Sequence, residues 1–107
     1  MNSFTHEKLV SAVTRALQKI LVFRGIPDVD NVAITPQTDP VSELGISSED
    51  LVLVGPELSQ ESQDLDLPNE VFDWADDSSG RRRNRTVGEI ADRISRHLET
   101  QEGVSHG

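Results

Sequence analysis

The sequence contains no cysteine, and its three histidines, His6, His97 and His106, lie far apart. The chain can therefore form neither a disulfide nor a thiolate metal site, and it offers no thiol nucleophile. We expect the histidines to be solvated and to bind no metal. No apolar run approaches the roughly 20 residues of a membrane span, and the first residues lack the basic and apolar regions of a signal peptide. These absences predict a cytoplasmic protein that crosses no membrane.

Lysine and arginine are also absent between Gly25 and Gly80, whereas aspartate and glutamate recur throughout that span. The formal net charge of the chain is -9. Such an acidic field repels nucleic acid and anionic membranes, and it attracts basic patches on other proteins. An acidic surface that serves only solubility is the alternative interpretation of the same charge.

Two long segments carry apolar residues at the three- and four-residue spacing of an amphipathic helix. The first spans residues 4 to 24, and Gly25 followed by Pro27 predicts where it ends. The last begins at the capping box formed by Thr86 to Glu89. Residues 101 to 107 are predicted to be a disordered tail beyond a single domain that ends near residue 100.

Between these helices, a shorter amphipathic segment predicts a helix from about Ser48 to Glu61. Ser47 is a good N-cap residue, and Glu49 and Asp50 lie in the first turn, where the helix dipole favours carboxylates. Pro56 lies inside the segment, where it cannot donate a helical hydrogen bond and clashes with the preceding turn. We therefore expect the helix to kink or to divide, with Pro56 as the first residue of the second piece.

Two connections complete the chain. Residues 25 to 46 are predicted to form a long loop, of a length that is often functional. Within residues 62 to 80, a short third helix is predicted over Asn69 to Trp74, with the tryptophan in or beside the core. Residues 76 to 85 have no apolar side chain, so a mobile loop is expected there, and its part from Arg81 to Arg85 is expected to be dispensable for folding. Because every long apolar pattern has the helical period, no strand is predicted.

Three segments resemble the acyl carrier protein family. Residues 44 to 51, LGISSEDL, resemble the modification site of that family, whose motif runs Leu-Gly-x-Asp-Ser-Leu-Asp. Residues 34 to 38, ITPQT, resemble the segment that precedes its serine helix, and residues 86 to 94, TVGEIADRI, resemble its final helix. In this sequence Ser47 replaces the aspartate of the motif, and Glu49 replaces the leucine.

The resemblance implies an all-α fold, a small four-helix bundle of acyl-carrier type with a long first loop. It implies that Ser48 carries a covalent 4'-phosphopantetheine, whose thiol holds an acyl or related group as a thioester, as in fatty acid or polyketide biosynthesis. The protein would then be a monomeric carrier and not an enzyme. Glu49, Asp50 and Glu57 would form the docking face for a phosphopantetheinyl transferase and for acyl-handling enzymes with basic patches.

Two other functions stay open. The chain could be an interaction module that keeps the bundle without the arm, which would account for Ser47, Glu49 and Pro56 at positions where the family differs. A nucleic-acid binder acting through Arg81 to Arg85 fits poorly with the acidic remainder of the chain. We therefore expect these arginines to lie in a solvated loop that nearby aspartates partly neutralise, and we expect no nucleic-acid partner.

Overall fold

The chain is mostly helical in the residues that the computed structural model describes, which are 5–65, 67–76, 80 and 83–105. Near the C-terminal helix, the chain also forms a short two-stranded antiparallel ribbon. Three short turns are 3₁₀-helical, over Val29–Asn31, Gln63–Leu65 and Asn69–Phe72. The α-helices and strands are α1 (His6–Phe23), α2 (Pro40–Leu44), α3 (Ser48–Leu51), α4 (Val54–Glu61), β1 (Ala75–Asp76), β2 (Arg83–Asn84) and α5 (Val87–Ser105).

Helix α1 begins and ends at residues whose chemistry fixes both boundaries. At its start, the Oγ1 atom of Thr5 accepts a hydrogen bond from the backbone N–H of Lys8 at 3.2 Å. At its end, Gly25 takes a φ of +78°, and the N–H of Ile26 donates to the carbonyl of Leu21 at 3.0 Å. This is the Schellman arrangement that a glycine after a helix favours, so the predicted end of the first helix is confirmed.

The core lies between three helices, because α1 packs against both α5 and α4. Each large apolar side chain that is fully buried there contributes about 1.5–3 kcal/mol relative to an exposed one. None of the helices in the described part of the chain combines the length and the apolar character that a membrane span requires. Fully buried core residues of the three helices include Leu9, Val13, Leu17, Val54, Leu58, Ile90 and Ile94.

The predicted serine helix is divided into two pieces, as Pro56 leads one to expect. Helix α3 ends at Leu51 and α4 begins at Val54, so Pro56 is the third residue of α4 and not its first. The N–H groups of a first helical turn have no intrahelical partner, so a proline there removes no hydrogen bond. A Cβ atom on the preceding Gly55 would lie 3.3 Å from the ring of Phe72, a tight contact that glycine avoids.

The first connection, residues 25 to 46, is more regular than the predicted loop. It contains α2, which Asp39 caps by accepting a hydrogen bond from the N–H of Val41 at 3.0 Å. Pro40 is the first residue of α2, and Gly45 ends the helix with a φ of +69°. The prediction treated the proline as a helix breaker, whereas an N-cap aspartate followed by proline is a signal for a helix start.

Two backbone hydrogen bonds tie this connection to the start of α5. The N–H of Val87 donates to the carbonyl of Thr38 at 3.0 Å, and the N–H of Gly88 donates to the carbonyl of Pro36 at 2.8 Å. A Cβ atom on Gly88 would lie 2.9 Å from that carbonyl oxygen, so the close approach requires glycine. The connection that precedes the serine segment is therefore anchored to α5.

The prediction that the chain has no strand is wrong. Ala75 pairs with Asn84 and Asp76 pairs with Arg83 in an antiparallel ribbon, β1–β2. Strands of two residues are too short to show the alternation of apolar and polar side chains that predicts a strand. Ion pairs that are described below join the two strands. Half of the predicted mobile loop, residues 77–79 and 81–82, lies outside the described residues.

Helix α5 begins at the predicted capping box and is longer than predicted. The N–H of Thr86 donates to Oε1 of Glu89 at 3.1 Å, and the N–H of Glu89 donates to Oγ1 of Thr86 at 3.3 Å. The helix continues to Ser105, past residue 101 where the tail was predicted to begin. Residues 106 and 107 lie outside the described residues.

Candidate functional site

Ser48 is exposed at the first position of α3, immediately after a confirmed N-cap. The Oγ atom of Ser47 accepts a hydrogen bond from the N–H of Asp50 at 3.2 Å. The Ser48 hydroxyl has no hydrogen-bond partner among the described residues. Of the two adjacent serines, the first thus has a structural partner and the second presents its hydroxyl to solvent.

Helix α3 has only four residues. The sequence prediction placed Ser48 at the start of a helix of about fourteen residues, because it joined α3 to α4. A helix dipole is the sum of aligned peptide dipoles, so α3 supplies less of the positive field that would favour a phosphate. The position of Ser48 is therefore distinguished by the exposure of its hydroxyl and not by the helix behind it.

Asp50, one of the predicted docking carboxylates, is held in a two-point ion pair with Arg24. Its Oδ2 atom accepts from Nε of Arg24 at 2.7 Å, and its Oδ1 atom accepts from Nη2 at 2.5 Å. These hydrogen bonds hold the pKa of Asp50 below its usual value and raise the pKa of Arg24. The pair joins the end of α1 to α3, so this carboxylate is already engaged within the chain.

Basic residues of α1 also face the carboxylates of α4. Nζ of Lys19 lies 3.5 Å from Oε2 of Glu57, the second predicted docking residue. Arg15 donates to both carboxylate oxygens of Glu61 at 2.9 and 3.0 Å, which lowers the pKa of Glu61. Glu49 is exposed and forms no ion pair within the described part of the chain. Of the predicted docking carboxylates, it is the one that these contacts leave available.

A second charged cluster, which the sequence did not reveal, joins the ribbon to α5. Nη2 of Arg83 lies 2.8 Å from Oδ2 of Asp76 and 2.6 Å from Oε2 of Glu89. The hydrogen bonds from Arg83 lower the pKa of Glu89 to about 2. Arg83 was predicted to lie in a solvated loop that nearby aspartates partly neutralise. Its pair with Asp76 agrees with that prediction, whereas its pair with Glu89 was not predicted.

This cluster predicts a specific pH dependence of stability. Because the pKa of Glu89 is lowered from 4.5 to about 2 on folding, its contribution is complete above pH 4.5 and is lost as the pH falls toward 2. With 36% of the carboxylate side chain exposed, screening limits that contribution to about 1 kcal/mol. The unfolding free energies of wild type and Glu89→Gln should therefore differ at neutral pH and converge near pH 2.

Urea unfolding at several pH values measures this convergence, and Glu99→Gln is the matched control. Glu99 is exposed on α5 and forms no ion pair among the described residues, so the control should follow wild type at every pH. A constant difference between Glu89→Gln and wild type from pH 7 to pH 2 would contradict the ion-pair explanation. Such a constant difference would show that the substitution acts through the hydrogen bonds of the cap and not through the charge of Glu89.

Comparison with protein-family models, with curated proteins and with solved structures finds no match to this chain. Among the described residues, no group of three or more His, Cys, Asp or Glu side chains could hold a metal ion. The class that fold and site define is a small, mostly helical chain with an exposed serine beside a capped turn. The resemblance to acyl carrier proteins rests on the sequence motifs alone.

Proposed function

We propose that the chain is a carrier protein that holds an acyl or related group as a thioester on a 4'-phosphopantetheine arm attached to Ser48. The observation that carries this proposal is the exposed hydroxyl of Ser48 at the first position of α3, next to a serine that is committed to capping. A large modifying enzyme can attach a long, flexible arm only to a hydroxyl that it can approach. Ser48 meets that condition, in a segment that resembles the motif of the family.

The attachment is a group transfer from coenzyme A. The Oγ atom of Ser48 forms a bond to the phosphorus next to the pantetheine moiety, the pyrophosphate bond breaks, and 3',5'-adenosine diphosphate leaves. The serine proton passes to a base of the transferase. The arm then supplies the thiol chemistry, while the chain supplies attachment, orientation and surface charge.

The fold that we propose for this function is a variant of the acyl-carrier bundle, acting as a cytoplasmic monomer. Its main helices would be α1, α4 and α5, whose order along the chain agrees with that family. The anchoring of the first connection to α5 through Val87 and Gly88 supports the proposal. That contact holds the segment before Ser48 against the core, as a rigid attachment site requires.

An unmodified interaction module is the second candidate, and one observation favours it. Asp50 and Glu57, two carboxylates that would guide basic transferases and synthases, are paired with Arg24 and Lys19 of the same chain. A carrier whose docking charges are neutralised internally would attract such enzymes less strongly. The two candidates make opposite predictions about Ser48.

We expect wild type to gain the mass of one phosphopantetheine when it is incubated with coenzyme A and a broad-specificity phosphopantetheinyl transferase. The gain should be absent in Ser48→Ala and present in Ser47→Ala, which is the matched control on the neighbouring hydroxyl. Loss of the cap should cost Ser47→Ala about 1 kcal/mol of stability, so its fold is checked by circular dichroism. Intact-mass spectrometry measures the result.

Failure to gain mass in all three proteins, with several different transferases, would contradict the carrier function and favour the interaction module. A gain that persists in Ser48→Ala and disappears in Ser47→Ala would contradict the assignment of the acceptor. In that case, the cap would be the modified residue.

A further inference from the structure

Large apolar side chains are exposed where α1 ends and where α3 passes into α4. Phe23 is 80% exposed, Val22 63% and Val52 61%. The ion pair between Arg24 and Asp50 joins the two segments, so these side chains lie at the same end of the fold. We call this set the apolar patch, and its members are Val22, Phe23, Ile26, Val52 and Leu53.

The patch is not an extension of the core. The core stripe of α1 ends with Ile20 and Leu21, which are 2% and 3% exposed. Val22 and Phe23 follow them on the exposed side of the last turn. Single exposed apolar residues are common on protein surfaces, but a cluster of large ones marks an interaction surface.

Carboxylates without a partner flank the patch. A groove beside it is lined by Lys19, Val22, Ile26, Asp28, Val29 and Asp30, among others. Asp28, Asp30 and Glu49 are exposed, and they form no ion pair within the described residues. The basic residues nearby are already in ion pairs with other carboxylates, Arg15 with Glu61, Lys19 with Glu57 and Arg24 with Asp50.

We propose that the apolar patch docks a cationic amphipathic segment of a partner protein. Apolar side chains of that segment would cover Phe23 and Val22, and its lysines or arginines would meet Asp28, Asp30 and Glu49. The proposal goes beyond the carrier function and does not depend on it, because none of these residues needs the arm on Ser48.

Charge complementarity decides between this occupant and a second copy of the chain. A two-fold contact would place the same patch and the same carboxylates on both sides. With a net charge of -9 on each copy, such a contact brings like charges together, and the nearby cations Lys19 and Arg24 are already paired within each copy. A cationic segment instead neutralises the flanking carboxylates while it buries the apolar surface.

The test uses the full-length Ser48→Ala protein, which cannot carry the arm at that position, so its outcome is separate from that of the carrier proposal. The probe is a synthetic helical peptide of leucine and lysine with one apolar face. Titration into isotope-labelled protein should shift the backbone amide resonances around Phe23, Asp30 and Val52. Phe23→Ser should weaken binding at least tenfold, and the double variant Asp28→Asn with Asp30→Asn should weaken it several-fold.

Two matched controls separate docking from general attraction between opposite charges. Glu7→Gln with Glu99→Gln removes the same charge from exposed positions that belong neither to the patch nor to the groove beside it, and it should leave the affinity nearly unchanged. A peptide of the same composition without an apolar face should bind at least tenfold more weakly. Circular dichroism verifies that each variant folds. We expect each variant to fold, because the altered side chains are exposed.

Three results would overturn the proposal. An equal loss of affinity in the control pair would show that the peptide recognises net charge alone. Amide shifts centred away from Phe23 would place the binding surface elsewhere. A dimer in sedimentation experiments that Phe23→Ser converts to monomer would assign the patch to a second copy of the chain.

Discussion

Replacing Leu17 by alanine should lower the free energy of unfolding by about 2–5 kcal/mol. Leu17 is fully buried on α1, the helix that packs against both α5 and α4. The substitution removes apolar atoms from contact and leaves a cavity that neighbouring helices can only partly fill. Since the free energy of unfolding of a domain is about 5–15 kcal/mol, this single change should remove a large fraction of it. Urea unfolding followed by far-ultraviolet circular dichroism measures the loss.

Phe23→Ala is the control on the same helix. It removes more apolar atoms than Leu17→Ala, but Phe23 is 80% exposed, so we expect a change within about 0.5 kcal/mol. If the two variants lost similar stability, Phe23 would be covered in solution. That outcome would contradict the assignment of the core stripe, because buried and exposed positions of α1 would then be energetically alike.

The long helices could be predicted from the sequence because their signals are local. The apolar spacing of α1 and the glycine at residue 25 specify a helix and its end within one segment. The capping box of Thr86 and Glu89 specifies the start of α5 in the same way. The division of the serine helix follows from the chemistry of Pro56 alone. In each case, the residues that determine the structure are neighbours in the sequence.

The features that escaped prediction depend on contacts between distant segments. Arg24 and Asp50 are 26 residues apart, and no local pattern shows that they meet. The resemblance that implies a docking face of Glu49, Asp50 and Glu57 does not show which of these carboxylates are paired within the chain. The cations that α1 places opposite these carboxylates determine which of them remain unpaired. The position of Ser48, in contrast, was predictable, because Ser47, the N-cap of α3, directly precedes it.

Arg85→Ala should be the second strongly destabilising change, although the sequence predicts a dispensable loop at this residue. Only 16% of the Arg85 side chain is exposed. Its Nη1 atom donates to the backbone carbonyls of Asp73 and Ala75 at 2.8 and 2.6 Å, and its Nη2 atom lies 3.8 Å from Oδ1 of Asp76. Asp76 is only 7% exposed, so its carboxylate depends on nearby cations.

Alanine at this position removes the donor to both carbonyls and one of the two arginines that contact Asp76 among the described residues. The bond to the Asp73 carbonyl is exposed and the bond to the Ala75 carbonyl is partly buried. An unsatisfied buried acceptor costs about 1–3 kcal/mol, and breaking a buried ion pair costs about 3–5 kcal/mol. Because Arg83 still contacts Asp76 at 2.8 Å, we expect a loss near the lower end, about 2–3 kcal/mol. Urea unfolding of the variant measures it.

Arg96→Ala is the matched control, since it removes the same side chain from an exposed site. Arg96 is 77% exposed and pairs with Asp92 one turn earlier on α5 at 3.0 Å, a contact worth about 0.3–0.5 kcal/mol. Adding Asp76→Asn to Arg85→Ala should recover part of the loss, because the buried charge is then removed. If Arg85→Ala cost no more than Arg96→Ala, the ribbon would contribute little to folding. The segment would then be as dispensable as its composition predicts.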